Sequence, residues 1–597
     1  MSSVNDFTLT VATANGSGSQ SANNILLRAL FRMGLPVGGK NLFPSNIQGL
    51  PTWFSIRVNE HGFTARKKLA DCVVAVNPAT ARDDLKLVRP GGFAFVNTEA
   101  KVAPDLYPSG VTVIPVPFKE IVAPVHESIK MRKLLVNMVY VGILAELLGI
   151  TDECLMEVMH HQFGKKDQVF APNEKAMHAG RAYAREHLAE LNFGFRVSSL
   201  GDLNAGKILI DGNTASAMGL LFGGCTVVAW YPITPSSSIV ESFVDLASKY
   251  RVDKNGKKNY AVVQAEDELA SIAMVVGAGW AGARAMTATS GPGLSLMSEA
   301  AGLAYYAEIP AVIWDVQRVG PSTGLPTRTM QGDLLSAYTL SHGDKRHVVL
   351  LPGTPSECFE FGQTAFDLAE SLQTLVIVQT DLDIGMNQHV THRFEYPREP
   401  FLRGKVLSAE ELQKAGSFQR YKDIDGDGIP YRTLPGTEHP LAAYFTRGTG
   451  HDEAGLYSEN NEVYKANMLR LARKFDTAAT MVPKPLFDST HGAKVGIVTY
   501  GSSHEATAEA RYLLQEKGVA ANCLRLRALP FTDEFEEFLD AHDRIYIIDQ
   551  NRDAQLFSIV RSEMPQYWQK CYSVTHFDGM PLDAETVVQQ ICEQEAK

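Results

Sequence analysis

Thr234, the acidic run Glu266-Asp267-Glu268 and Arg318 are the residues whose types and spacing could do chemistry together. Thr234 lies in Tyr231-Pro232-Ile233-Thr234-Pro235-Ser236-Ser237, a hydroxyl-bearing stretch, and the acids end the run Gln264-Ala265-Glu266-Asp267-Glu268. Ser290-Gly291-Pro292-Gly293 follows, with glycines that let a ligand approach the backbone closely. Arg318 then opens a loop that carries Thr323 and Thr327. Together the loops offer a carboxylate, a cation and hydroxyls. No cofactor motif accompanies them.

Each of these loops follows an apolar stretch that reads as a strand, at residues 226–230, 261–263, 285–289 and 311–314. Further strands are expected at 348–351 and 375–379, with Ala- and Gly-rich helices between them, so this region is a doubly wound parallel sheet. Pro232 and Pro235 end the first strand, and all four loops fall at the carboxyl edge, where open α/β sheets bind ligands. An ordinary role for Thr234 is a helix N-cap, which is compatible with a binding role.

Upstream, a strand at 7–14, a Gly/Ser turn, a helix at 21–33 and strands at 72–76 and 111–116 describe another α/β domain. The polar residues 194–205 read as a linker before a strand at 208–210. Between 400 and 484 periodicity is lost, and an irregular connector is expected. Strands at 495–500, 521–526 and 544–549, with helices at 504–517 and 533–542, then give a second parallel sheet. The expected division is 1–195, 205–400, 401–488 and 489–597.

A chain of 597 residues is too long for one core. Its 45% hydrophobic and 21% charged residues are ordinary for a globular protein, and a net charge of −11 gives no reason to expect nucleic acid. The polar start, Met1-Ser2-Ser3-Val4-Asn5-Asp6, lacks a secretory pattern, so a cytoplasmic location is expected. The apolar segment 134–150 is broken by Asn137 and Glu146 and reads as a buried helix, not a membrane span. The seven cysteines are dispersed without a Cys-x-x-Cys, which argues against disulfides, structural zinc and an iron–sulfur cluster held by this chain alone.

Four weaker features remain. Gly16-Ser17-Gly18-Ser19-Gln20, between strand and helix, is either a phosphate-cradling turn or a plain tight turn. Asp423-Ile424-Asp425-Gly426-Asp427-Gly428 carries the first half of a calcium loop, but Leu434 stands at the twelfth position and Pro430 intervenes, so a polar turn is the better reading. Gly426-Asp427-Gly428 with Asn460-Asn461 superficially matches a thiamine diphosphate motif, and is rejected because no apolar strand precedes it. His160-His161 in a helix face different ways and read as surface residues; no metal is expected on this chain.

In order, Tyr231-Pro232-Ile233-Thr234-Pro235-Ser236-Ser237, Gln264-Ala265-Glu266-Asp267-Glu268, Thr287-Ala288-Thr289-Ser290-Gly291-Pro292-Gly293 and Gly320-Pro321-Ser322-Thr323-Gly324-Leu325-Pro326-Thr327 resemble the α subunit of a 2-oxoacid:ferredoxin oxidoreductase. Residues 1 to 190, with Phe43-Pro44-Ser45-Asn46-Ile47-Gln48-Gly49-Leu50-Pro51-Thr52-Trp53, resemble that family's γ domain, and residues from 490 its transketolase C-terminal-like domain. The resemblance implies a fused γ–α subunit, with a thiamine diphosphate pyrimidine-binding domain at its centre. It also implies a cofactor shared with a β subunit that carries the diphosphate, its Mg2+ and a [4Fe-4S] cluster, in a dimer of αβ heterodimers.

By the same carry-over Glu268, with Glu266 as its rival, is the catalytic carboxylate that bonds N1′ of the pyrimidine and activates the cofactor. Tyr231, Pro232 and Ile233 would shape the pyrimidine side, Thr234 and Arg318 would bind the substrate carboxylate, and Thr323 and Thr327 the distal end of the substrate. Gly16, Ser17 and Gly18 remain the candidate turn for a phosphate or coenzyme A, with a plain tight turn as the alternative. The reaction implied is 2-oxoglutarate, coenzyme A and oxidised ferredoxin to succinyl-CoA, CO2 and reduced ferredoxin, reversibly, in a forward or reductive tricarboxylic acid cycle. A pyruvate or broad-specificity enzyme is the alternative, and a non-catalytic assembly subunit is the alternative of another class.

Overall fold

The computed structural model describes residues 3–44, 49–164, 167–397 and 399–596, which divide into two compact units. Ser45, Asn46, Ile47 and Gln48, within the segment that resembles the γ domain, lie outside the described residues.

The first unit runs to Ile210 and adds Asn387–Arg393 and Leu582–Glu585. Its six-stranded sheet has the order Val37–Leu42, Pro51–Val58, Phe7–Ala14, Ala70–Ala75, Val88–Asn97, Thr112–Val116. Pro51–Val58 runs antiparallel to both its neighbours and the remaining pairings are parallel, so the unit is mixed α/β. Sequence reading finds Phe7–Ala14 because its alternation is sharp, and misses Pro51–Val58 and Val88–Asn97, where Pro, Gly and Arg interrupt the apolar run.

The apolar helix spans Ile129–Leu148 and packs along Asp167–His187. Their backbones touch at two glycines: a Cβ on Gly142 would stand 1.9 Å from the Met177 carbonyl oxygen, and one on Gly180 2.1 Å from that of Val139. Among the described residues no helix is long and apolar enough to cross a membrane. The stretch expected to be a linker is tied down: Phe195–Arg196 pairs with Ser3–Val4, and Gly201–Asn204 forms a 3-10 turn. Lys207–Ile210 is antiparallel to His389–His392 and belongs to this unit. Polar composition marked a break, yet Asn5 bonds both backbone groups of Ser198 and Asn204 donates to the Phe31 and Leu35 carbonyls, which composition does not reveal.

The second unit holds two sheets. The larger has seven strands in the order Ala261–Gln264, Val227–Trp230, Ala285–Thr289, Ala311–Gln317, Leu375–Asp381, Val348–Leu350, Ala528–Leu529, all parallel except the last. Ala311–Gln317 and Leu375–Asp381 are buried throughout, as central strands covered on both faces must be. The five-stranded sheet has the order Leu486–Asp488, Ala521–Leu526, Val495–Tyr500, Arg544–Asp549, Cys571–Thr575 and is parallel apart from its first edge strand. Ile313, Ile377, Val498, Leu526 and Phe535 lie in one hydrophobic cluster, so the sheets share a core.

The expected irregular connector contains a 19-residue helix, Asn461–Ala479, capped by the Asn460 side chain. Its inner face buries Arg470 and Lys474 beside Leu471, so hydrophobic periodicity could not disclose it. Arg470 and Lys474 both meet Glu308, at 2.7 Å each, in the interior. The acidic turn before the helix spends its carboxylates locally. Asp423 accepts from the Gly426 and Gly428 amides and pairs with Arg473, while Asp425 and Asp427 pair with Lys405.

Candidate active site

In the seven-stranded sheet the chain leaves Val227–Trp230 for the edge strand Ala261–Gln264, then crosses back to Ala285–Thr289 on the other side. That reversal is a topological switch point, and the loops outside its strand ends form the crevice where such sheets bind ligands.

Residues 231–236 leave the first strand and lead into helix Ser237–Tyr250. The N-cap of that helix is Ser236, so Thr234 does not cap it. Instead Thr234 lies inside a turn that begins at Ile233, whose carbonyl accepts from the Ser236 and Ser237 amides, and the buried Asn213 amide holds the Pro235 carbonyl at 2.9 Å. Tyr231 and Pro232 are exposed, and Ile233 and Thr234 half-buried. Among the described residues the Thr234 hydroxyl has no hydrogen-bond partner, while its carbonyl accepts from Arg318 Nη1 at 2.6 Å.

The acids separate by burial. Glu266 is exposed, Asp267 caps helix Glu268–Trp280 through the Ala270 amide, and Glu268 is only 7% exposed. Glu268 lies against the third loop, where a Cβ on Gly293 would stand 2.7 Å from Glu268 Cγ and 2.0 Å from Thr289 Oγ1. Glycine is the residue that fits. Among the described residues no hydrogen bond or ion pair engages the Glu268 carboxylate, so a mostly buried side chain keeps its oxygens free for a ligand.

Arg318, 7% exposed, bridges the Thr234 carbonyl and, at 3.1 Å, that of Thr323, and its Nε is buried without a partner among the described residues. Burial lowers its pKa from the usual guanidinium value, with Asp333 opposing. Thr323 itself is exposed and Thr327 is buried. Glu268 with Gly293, and Thr234 with Arg318, are thus brought together in the second unit. Gly16, Ser17 and Gly18 belong to the first unit, where the two glycines have φ of 81° and Ser17 Oγ is buried without a partner among the described residues.

Asp315 and Asp333 escaped the sequence reading. Asp315 interrupts the apolar strand Ala311–Gln317, which was the available signal; one oxygen accepts from Gln379 at 2.9 Å and the other has no partner among the described residues. Asp333 stands behind the third loop, its oxygens 2.8 Å from where a Cβ on Gly291 would lie. Burial pushes Asp333 up to about 7 despite Arg318, and burial and Asp333 raise Asp315 well above the carboxylate range.

Residues 218–425 match the family described as "Pyruvate flavodoxin/ferredoxin oxidoreductase, thiamine diP-bdg", and residues 8–183 match "Pyruvate ferredoxin/flavodoxin oxidoreductase". The chain is 31% identical to the 2-oxoacid:ferredoxin oxidoreductase 2 subunit alpha of Aeropyrum pernix over 97% of its own length and 96% of that protein. It is 38% identical to the 2-oxoglutarate synthase subunit KorA of Archaeoglobus fulgidus, over 55% of this chain and 82% of that one. Its fold superposes with a TM-score of 0.89 on the 2-oxoglutarate:ferredoxin oxidoreductase of Magnetococcus marinus, solved with 2-oxoglutarate, coenzyme A and succinyl-CoA bound. That match is at 29% identity and covers 99% of this chain and 100% of that one. With a switch-point crevice, a buried acid in it and this likeness across almost its whole length, the chain belongs to the α subunits of the 2-oxoacid:ferredoxin oxidoreductases.

Proposed function

We propose that this chain, with a β subunit, oxidatively decarboxylates 2-oxoglutarate: coenzyme A receives the succinyl group, CO2 leaves, and two electrons pass to ferredoxin, in a reversible reaction. The observation that carries this reading is Glu268, only 7% exposed, whose carboxylate has no partner among the described residues, in the loop at the switch-point crevice. A carboxylate so placed lacks the donor that a ring nitrogen bearing a proton would supply, and the missing Cβ at Gly293 leaves room beside it. Those features fit thiamine diphosphate, which when bound supplies the carbon nucleophile for a 2-oxo group.

Glu268 would hold a proton at N1′ of the aminopyrimidine, and Tyr231, Pro232 and Ile233 would flank that ring. Thr234, whose hydroxyl is free to donate, and Arg318 would receive the 2-oxoacid carboxylate. Thr323 and Thr327 would meet the distal end, and the Gly16-Ser17-Gly18 turn a phosphate of coenzyme A. The diphosphate, Mg2+ and [4Fe-4S] cluster belong to the β subunit in this scheme, in a dimer of αβ heterodimers. The domains proposed at 1–195, 205–400, 401–488 and 489–597 are then γ-like, pyrimidine-binding, connecting and transketolase C-terminal-like.

The named relatives favour 2-oxoglutarate over pyruvate. Steady-state assays of the assembled complex with both acids decide it. A higher kcat/KM for 2-oxoglutarate is expected, and a preference for pyruvate overturns the substrate assignment.

A further inference from the structure

Within the first unit a cavity of about 490 Å3 lies between the end of helix Ser19–Arg32, helix Asp152–Phe163, the turn Gly201–Asn204 and the strand Lys207–Ile210. Arg28, Lys207 and Arg393 line it from three separate segments. Among the described residues none of the three has an ion pair or a side-chain hydrogen bond. Arg32, also in the wall, is paired with Glu157, and against these cations the lining sets one acid, Asp202.

Basic residues near a helix C-terminus usually complement its dipole and its free carbonyls. Here that role is already filled. Asn204 donates to the Phe31 and Leu35 carbonyls, and the Leu200 amide and the Ser199 hydroxyl donate to that of Met33. Lys207 and Arg393, moreover, come from the ribbon and not from the helix. Like charges gathered around a concavity repel one another unless an anion offsets them. The volume falls within the roughly 300–1,000 Å3 of ligand pockets, and Phe31 and His161 give it an aromatic wall.

We propose that this cavity binds a ligand bearing adjacent phosphates, either a nucleoside di- or triphosphate or inorganic pyrophosphate. The site is distinct from the Gly16-Ser17-Gly18 turn, which precedes the opposite end of the same helix. Three cations from three segments match the spread charge of a diphosphate better than one carboxylate.

Calorimetric titration of the αβ complex, saturated with thiamine diphosphate and coenzyme A, with ADP, ATP and pyrophosphate tests this. One saturable event per α chain is expected, weakening as salt rises. Arg28→Gln, Lys207→Gln and Arg393→Gln should each reduce affinity about tenfold or more without shifting the thermal midpoint, and Arg28→Lys should lose less. Tighter binding of ATP or ADP than of pyrophosphate identifies a nucleotide site, and equal binding a pyrophosphate site. Absence of binding to millimolar concentration at low salt, binding that survives all three substitutions, or binding abolished by coenzyme A overturns the proposal.

Discussion

Arg318 Nη1 donates to the Thr234 carbonyl oxygen at 2.6 Å, which ties the loop after Ala311–Gln317 to the loop after Val227–Trp230 across the strand between them. A second bond, from Nη2 to Thr323, uses the other arm of the guanidinium. Lysine has no such fork. Arg318→Lys should therefore raise KM for the 2-oxoacid by about tenfold or more, with a smaller fall in kcat, because positioning is lost before chemistry. An unchanged KM would remove Arg318 from substrate binding.

The burial contrast between Glu268 and Glu266 separates two residues that share a sequence neighbourhood. Glu268→Gln should cut acyl-CoA formation by about a hundredfold or more, whereas Glu266→Gln should leave it intact. Exchange of the C2 proton of bound thiamine diphosphate, followed by NMR, reads the step directly. Fast exchange in Glu268→Gln would transfer the role elsewhere.

Gly293 cannot carry a methyl group without meeting Thr289 Oγ1 and Glu268 Cγ. Gly293→Ala should displace Glu268 and weaken thiamine diphosphate binding, with about a hundredfold loss of activity at limiting cofactor. Titration of the apo complex by fluorescence quenching measures it, and wild-type affinity would contradict the contact.

Burial alone would raise the Glu308 carboxyl, but Lys474 and Arg470 bring it down to about 2. A folded-state pKa below the unfolded value means stability that is present above about 4.5 and lost as pH falls toward 2. Glu308→Gln leaves two buried cations short of their partner and should cost about 3–5 kcal/mol near neutrality. The gap from wild type should narrow as denaturation is repeated below pH 4.5.

Asp333 shifts the opposite way, up to about 7. The folded state then binds the extra proton, so its contribution favours folding at low pH and is lost as pH rises from about 4 to 7. Asp333→Asn, which mimics the protonated acid, should be more stable than wild type above pH 7 by about 2–4 kcal/mol and indistinguishable near pH 4. Denaturant midpoints across that range check the crossover.

The alternation of strands and helices from Val227 to Asp381 was legible because parallel strands buried on both faces are apolar runs closed by Gly, Pro and hydroxyl residues. The loops at their carboxyl ends followed, and with them Thr234, Glu268 and Arg318. The sequence could not rank Glu268 above Glu266 by chemistry, since burial depends on the third loop, whose Gly293 is distant along the chain. Nor could it assign Arg318 to the Thr234 carbonyl, a contact made only when the sheet sets two loops side by side. Helix Asn461–Ala479 was hidden for a related reason: its inward face is charged, and Arg470 and Lys474 read as solvent-facing until Glu308 is placed beneath them. Local pattern determines which segments become strands and helices and which residue types reach the crevice. Only the tertiary structure decides which of those polar groups lose water and which partners they meet, because desolvation is a property of the packed whole.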